Sequence, residues 1–200
     1  MNPAAKQAGI LDAAAHQFAA VGYDRAAVTD IAAAAGVAVG SVYRLFGDKA
    51  ALLRAVHAMV EQRFVGAVDD AWSNSRGTAL PLRMRAMVDG LFATATDLAG
   101  IIRVLGEQRS APASYGAHAP DPLPPVVAAI AAVLRDGMAS GAMRTLPVVA
   151  TAYIAHGVIH GAMAGCLMTG HTEDDAPYRR QAHAALLALV SPPAAIARET

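Results

Sequence analysis

Val28-Thr29-Asp30-Ile31-Ala32-Ala33-Ala34-Ala35-Gly36-Val37-Ala38-Val39-Gly40-Ser41-Val42-Tyr43-Arg44-Leu45-Phe46 is the stretch that decides the fold. It reads as two short helices joined by a tight turn. Ile31, Ala32 and Ala35 supply the buried side of the first helix, and the small Ala32 lets the second helix approach closely. Gly36 permits the turn and Val37 plugs the junction. Val42 and Phe46, four residues apart, anchor the inner face of the second helix. Val39, Gly40, Ser41, Tyr43 and Arg44 are left on its outer face, and a helix of this size fits the DNA major groove.

Helical periodicity continues on both sides. Ile10, Ala14 and Phe18 recur every four residues between Gln7 and Val21, and Gly22 stops that helix. Asp48 is a suitable cap for a much longer helix carrying Leu53, Val56, Val60, Phe64, Val68 and Trp72. Ser73 to Thr78 is a polar break. Leu80 to Leu98 forms an amphipathic helix, and Gly100 separates it from a shorter piece with Ile101, Ile102 and Leu105. Ser110 to Pro122 reads as a loop. Helices follow from Val126 to near Gly141, from Pro147 to Gly170, and from Asp174 to Val190, where Ser191-Pro192-Pro193 ends the last one. No stretch reads as a strand, so the expected class is all-α: a three-helix head over residues 1–47 and a larger helical domain over residues 48–200.

Composition narrows the function. The chain has 200 residues, 55% hydrophobic and 16% charged, which suffices for a sizeable core and excludes a disordered chain. Sixteen basic residues balance sixteen acidic ones, so no global positive field announces a nucleic-acid binder. The single cysteine, Cys166, excludes an internal disulfide framework and a Cys-rich zinc site. The start of the chain lacks the basic and apolar pattern of a signal peptide, so a cytoplasmic setting is expected. No Gly-rich phosphate loop, nucleophile-elbow serine or metal motif is present, and the expectation is a protein that is not an enzyme and carries no cofactor.

The 28–46 stretch and its flanks closely resemble the DNA-binding region of the TetR family of bacterial transcriptional regulators. The resemblance runs from about Lys6 to Leu53, through Phe18, Gly22-Tyr23, Ile31-Ala32, Ala35-Gly36-Val37, Gly40-Ser41-Val42-Tyr43, Phe46, Lys49 and Leu52-Leu53. It implies that Val39, Gly40, Ser41 and Arg44 read bases of a double-stranded operator, with Thr29 contributing from the preceding helix. Tyr43 and Lys49 fall where the family contacts phosphate. Arg44, the one long donor on the outer face, suits a guanine edge. Ala26 and Ala27 replace the Ser or Thr that usually caps the first motif helix, and Leu45 stands where a histidine is frequent. Residues 1–52 hold Lys6, Arg25, Arg44 and Lys49 against Asp12, Asp24, Asp30 and Asp48. Binding must therefore come from placement, with carboxylates at helix starts or facing away.

The same resemblance implies a homodimer on a near-palindrome, built on the last two long helices, and a repressor released by a small-molecule effector. Phe64, Met84, Met87, Leu91, Phe92, Tyr115, Tyr153 and His156 are the candidate walls of its pocket. Methionine and few charges suit a mostly apolar ligand. Between Arg144 and Glu173 no charged residue occurs, a length that could cross a bilayer. His156, His160 and the many weakly hydrophobic residues favour instead a helix buried on most sides in a bundle, with Gly157, Gly161 and Gly165 forming a close-packing ridge. His156 and His160, one turn apart, could ligate a metal, but no third ligand has matching spacing, and packing histidines are the favoured reading. The alternative function is an all-α small-molecule binder that has lost DNA binding.

Overall fold

A computed structural model describes residues 2–108, 123–168 and 175–192, and all statements below concern these. They form α1 (Pro3–Val21), α2 (Val28–Ala34), α3 (Val39–Phe46), α4 (Lys49–Asn74), α5 (Leu80–Asp97), α6 (Ala99–Gln108), α7 (Pro125–Ala139), α8 (Val148–Met168) and α9 (Ala176–Val190). No strand occurs among the described residues, as the periodicity required. The chain divides into two units. One holds residues 2–63 and 97–108, the other residues 64–96, 123–168 and 175–192. α4 contributes to both.

In the first unit α1 begins four residues before the periodic stretch. Pro3 occupies its first turn, and the Asn2 side chain accepts a hydrogen bond from the Ala4 amide at 3.1 Å. Its Ile10, Ala14 and Phe18 are fully buried with Ile31, Ala32, Val42 and Leu52, a small core of alternating bulky and small side chains. α6 closes on α1 at Gly100, where an added Cβ would stand 2.9 Å from that of Ala19. Only glycine allows that approach without a shift.

The second unit packs Val68, Trp72, Met84, Met87, Val88, Leu91, Phe92, Ile130, Leu134, Ile159 and Leu186 into one core. A polar pin at its edge, closed by an exposed carboxylate, was not evident from periodicity. Arg83 is buried, with its guanidinium 3.3 Å from the Trp72 ring centroid. It donates to the Trp72 carbonyl at 3.0 Å and pairs with Asp136 at 3.7 Å. Trp72 Nε1 completes the ring by donating to Asp136 Oδ2 at 2.7 Å. A buried cation needs such partners, since leaving it unpaired in an apolar core is costly.

α8 corrects one expectation. It is long and apolar enough to span a bilayer (mean hydropathy 1.3 over Val148–Leu167), yet only 22% of that window is buried, so it is not enclosed on most sides. Thr151, Ala152, Ala155, Ile159 and Cys166 face the core. Val149, Ile154, Gly157, His160 and Gly161 lie on the uncovered side. The glycine ridge is split accordingly. Gly165 receives the Tyr178 ring, 3.0 Å from its would-be Cβ, whereas nothing lies within 4 Å of the corresponding points at Gly157 and Gly161. Bundle packing within one chain uses a single stripe of this helix.

Candidate nucleic-acid interface

α2 and α3 meet at 106°, the geometry of a helix-turn-helix. The turn depends on Gly36, whose φ of +64° a residue with a side chain rarely adopts. Its neighbour Val37 donates to the Ala32 carbonyl at 2.9 Å, which seats the junction against α2. Val42 is buried and Phe46 half-buried, so α3 is held by its inner face.

The outer face carries the residues expected there. Tyr43 is 49% exposed, and Gly40 and Arg44 are exposed beside it, while Val39 and Ser41 are half-buried at the start of the helix. Thr29 is exposed in the first turn of α2. Arg44 has neither an ion pair nor a hydrogen bond among the described residues, so its fork of donors is available to an outside acceptor. Leu45 is 40% exposed and adds an apolar spot to the same side.

Two lysines are less free than a sequence reading suggests. Lys49 Nζ donates to the Asp24 carbonyl at 3.0 Å and sits 4.7 Å from the Tyr23 ring centroid. Lys6 Nζ donates to Ser41 Oγ at 3.0 Å, tying the first turn of α1 to the recognition helix. Sequence reasoning did not place Lys6 at the site. The available signal was that it is one of only four Lys and Arg residues between positions 1 and 52; a contact across 35 positions leaves no periodic trace. Acidic groups are set aside. Asp30 lies in the first turn of α2, and Asp48 accepts the Ala51 amide at the start of α4 at 2.6 Å. Asp12 pairs with Arg63 at 3.4 Å. Ala27 and Ala38 precede α2 and α3 without any side-chain cap.

The described candidate effector residues belong to the second unit. Met84, Met87, Leu91 and Phe92 are buried in the core of the second unit, and Phe64 and Tyr153 are partly buried against it. The Tyr153 hydroxyl is buried with no hydrogen-bond partner among the described residues. His156 and His160 stack with ring centroids 5.8 Å apart. Tyr115 lies outside the described residues. Among the described residues no group of three or more His, Cys, Asp or Glu side chains is placed to hold a metal ion.

A helix-turn-helix with an unpaired arginine on its outer face defines the class: a DNA-binding regulatory fold. The comparisons give the family of the head and the fold of the chain. Residues 10–56 match the family model described as bacterial regulatory proteins, tetR family. A tetR-family transcriptional regulator from Mesorhizobium loti superposes with a TM-score of 0.77 at 21% identity, covering 96% of this chain and 100% of its own. One from Rhodococcus sp. gives 0.73 at 22% identity, with 94% and 100% covered. SmeT, the repressor of the Stenotrophomonas maltophilia multidrug efflux pump SmeDEF, gives 0.67 at 21% identity, with 97% and 94% covered. Among curated proteins no sequence matches. The head is thus the helix-turn-helix domain of the tetR family, and the chain has the fold of that family's transcriptional regulators.

Proposed function

We propose that this protein is a cytoplasmic, homodimeric transcriptional repressor that binds a near-palindromic operator and leaves it when a mostly apolar small molecule binds. The observation that carries the reading is the outer face of α3, where Tyr43 and the unpaired Arg44 stand exposed on a tetR-family head. Residues 1–47 are assigned to operator binding and residues 48–200 to effector binding and dimerisation. In this reading Arg44 reads a guanine edge, while Val39, Gly40, Ser41 and Thr29 approach the bases. Tyr43 and Lys49 hold phosphate.

One recognition helix reads too few base pairs for specificity, whereas two about 34–36 Å apart read successive major-groove faces of a near-palindrome. The uncharged, uncovered side of α8 supports a second copy of this chain as the partner. Exposed Val149 and Ile154 flank glycines that let two helices approach closely. The effector is assigned to the walls Phe64, Met84, Met87, Leu91, Phe92, Tyr115, Tyr153 and His156, and the orphaned Tyr153 hydroxyl would supply its polar contact. A ligand that binds the free dimer better than the DNA-bound form lowers operator affinity by the same factor. No catalytic step, cofactor or resident metal is assigned.

Gel retardation on DNA flanking the protein's own coding region, at several salt concentrations, tests the reading. Retardation of one such fragment over unrelated DNA is expected, weakening steeply with salt. Failure to retard any flanking fragment at low salt overturns it. A ligand-induced melting shift without DNA retention would leave the chain a small-molecule binder with a silent head.

A further inference from the structure

Packing accounts for only one of the two histidines on α8. His156 is half-buried at the border of the core, whereas His160 is exposed. They stand one helical turn apart, so both rings project from the same side of the helix. Their centroids lie 5.8 Å apart, with 29° between the ring planes. His160 makes no hydrogen bond or ion pair among the described residues. The space beside the pair is open. Gly157 and Gly161 directly follow the two histidines, both are exposed, and nothing stands within 4 Å of the point where either would carry a Cβ.

This spacing suits a shared ion. A ligating imidazole nitrogen sits about 2.0–2.1 Å from zinc, so two imidazoles on one tetrahedral ion hold their ring centres roughly 5–6 Å apart. The rings already stand within that range. Turning the exposed His160 ring about its last side-chain bond, a torsion with a broad minimum, aims its nitrogen at the common point. No third His, Cys, Asp or Glu joins the pair among the described residues, which leaves the other positions to water. An ion held in this way exchanges with solvent, unlike one closed in by four protein ligands. Nitrogen donors without a carboxylate select ions such as Zn²⁺ and Cu²⁺ over Mg²⁺ and Ca²⁺, which take oxygen.

We propose that His156 and His160 chelate one exchangeable transition-metal dication per chain. The site goes beyond the regulator reading and depends on neither DNA nor dimerisation. Titration calorimetry of the full chain with Zn²⁺ and with Mg²⁺ tests it, and electron paramagnetic resonance of the Cu²⁺-loaded chain counts the nitrogen ligands. One Zn²⁺ per chain is expected to bind, with no binding heat from Mg²⁺. His160→Gln, at an exposed side chain, is expected to keep the melting temperature of the metal-free chain and to lose about tenfold or more in Zn²⁺ affinity, because a lone imidazole lacks the effective concentration of the second. His156→Gln should cost as much, and each variant should remove one nitrogen from the Cu²⁺ spectrum. If the half-buried His156→Gln unfolds the chain, His160→Gln decides alone. Zn²⁺ binding no tighter than about 1 mM, equal binding of Mg²⁺, or unchanged Zn²⁺ affinity in His160→Gln overturns the proposal.

Discussion

α3 and α8 each leave one face uncovered, and the chemistry of the two faces is opposite. On α3 the open side carries Gly40, Tyr43 and Arg44, groups that water solvates readily. On α8 it carries Val149, Ile154 and Gly157, with His160 the one ionisable side chain among the exposed positions of that stripe. Water tolerates the first without a partner. The second leaves two large apolar side chains, Val149 and Ile154, about half exposed to water. The two open faces, one on an 8-residue helix and one on a 21-residue helix, thus differ in their need for a cover: the first can stay in water, whereas the second leaves apolar side chains in it.

The sharpest way to break this contrast is to place a charge on α8. Ile154→Asp puts an uncompensated carboxylate into the proposed contact twice per dimer. It is expected to weaken dimerisation by about 3 kcal/mol or more, a hundredfold or greater rise in the dissociation constant by sedimentation equilibrium. Helix content by far-UV circular dichroism should hold, because Ile154 is 55% exposed in the chain itself. A dimer unmoved by the substitution removes this face from the interface. The matching change on α3 acts differently. Arg44→Ala should leave the association state alone and cost about 1–3 kcal/mol at one base pair of the operator. Sequence preference measured by competition gel shift should relax at that position only. If preference at every position survives, Arg44 does not read a base.

How much of this was legible beforehand follows the local character of each interaction. Residues 28–46 were readable because a turn needing positive φ at Gly36 and an inner anchor at Val42 are short-range requirements. The all-α class and most helix limits followed from apolar spacing in the same way. α1 started early because Asn2 and Pro3 make a cap and first turn that carry no apolar signal. The Trp72–Arg83–Asp136 pin and the Lys6–Ser41 contact join residues up to 64 positions apart, and pairing at that range leaves no imprint on periodicity. α8 misled for a different reason. An apolar sequence specifies that a helix will be covered, without specifying whether its own chain does the covering.

A smaller effect tests the head alone. Ala27 has φ −90° and ψ 137°, the backbone of an N-cap, yet it offers no side-chain oxygen to the first turn of α2. Ala27→Ser should stabilise the protein by about 1 kcal/mol in chemical denaturation. An unchanged midpoint would mean that those amides already have another acceptor.

The smallest expected change separates the two lysines from Arg44. Phosphate contacts carry no base identity, so removing one lowers affinity for every sequence alike and reduces the slope of log affinity against log salt by about one. Lys49→Ala should behave in this way, with part of the loss arising from the Asp24 carbonyl and Tyr23 ring that the ammonium now holds. Lys6→Ala has a second consequence. Its ammonium occupies an acceptor site of the Ser41 hydroxyl, and the contact keeps that side chain oriented at the start of α3. Lys6→Ala is therefore expected to lower the salt slope and also to blur preference at the base next to Ser41, whereas Lys49→Ala blurs none. If both variants weaken all sequences equally and Ser41→Ala adds its full effect on top of Lys6→Ala, the lysine acts as a point charge alone. If the two substitutions are instead non-additive in base preference, α1 helps aim the recognition helix.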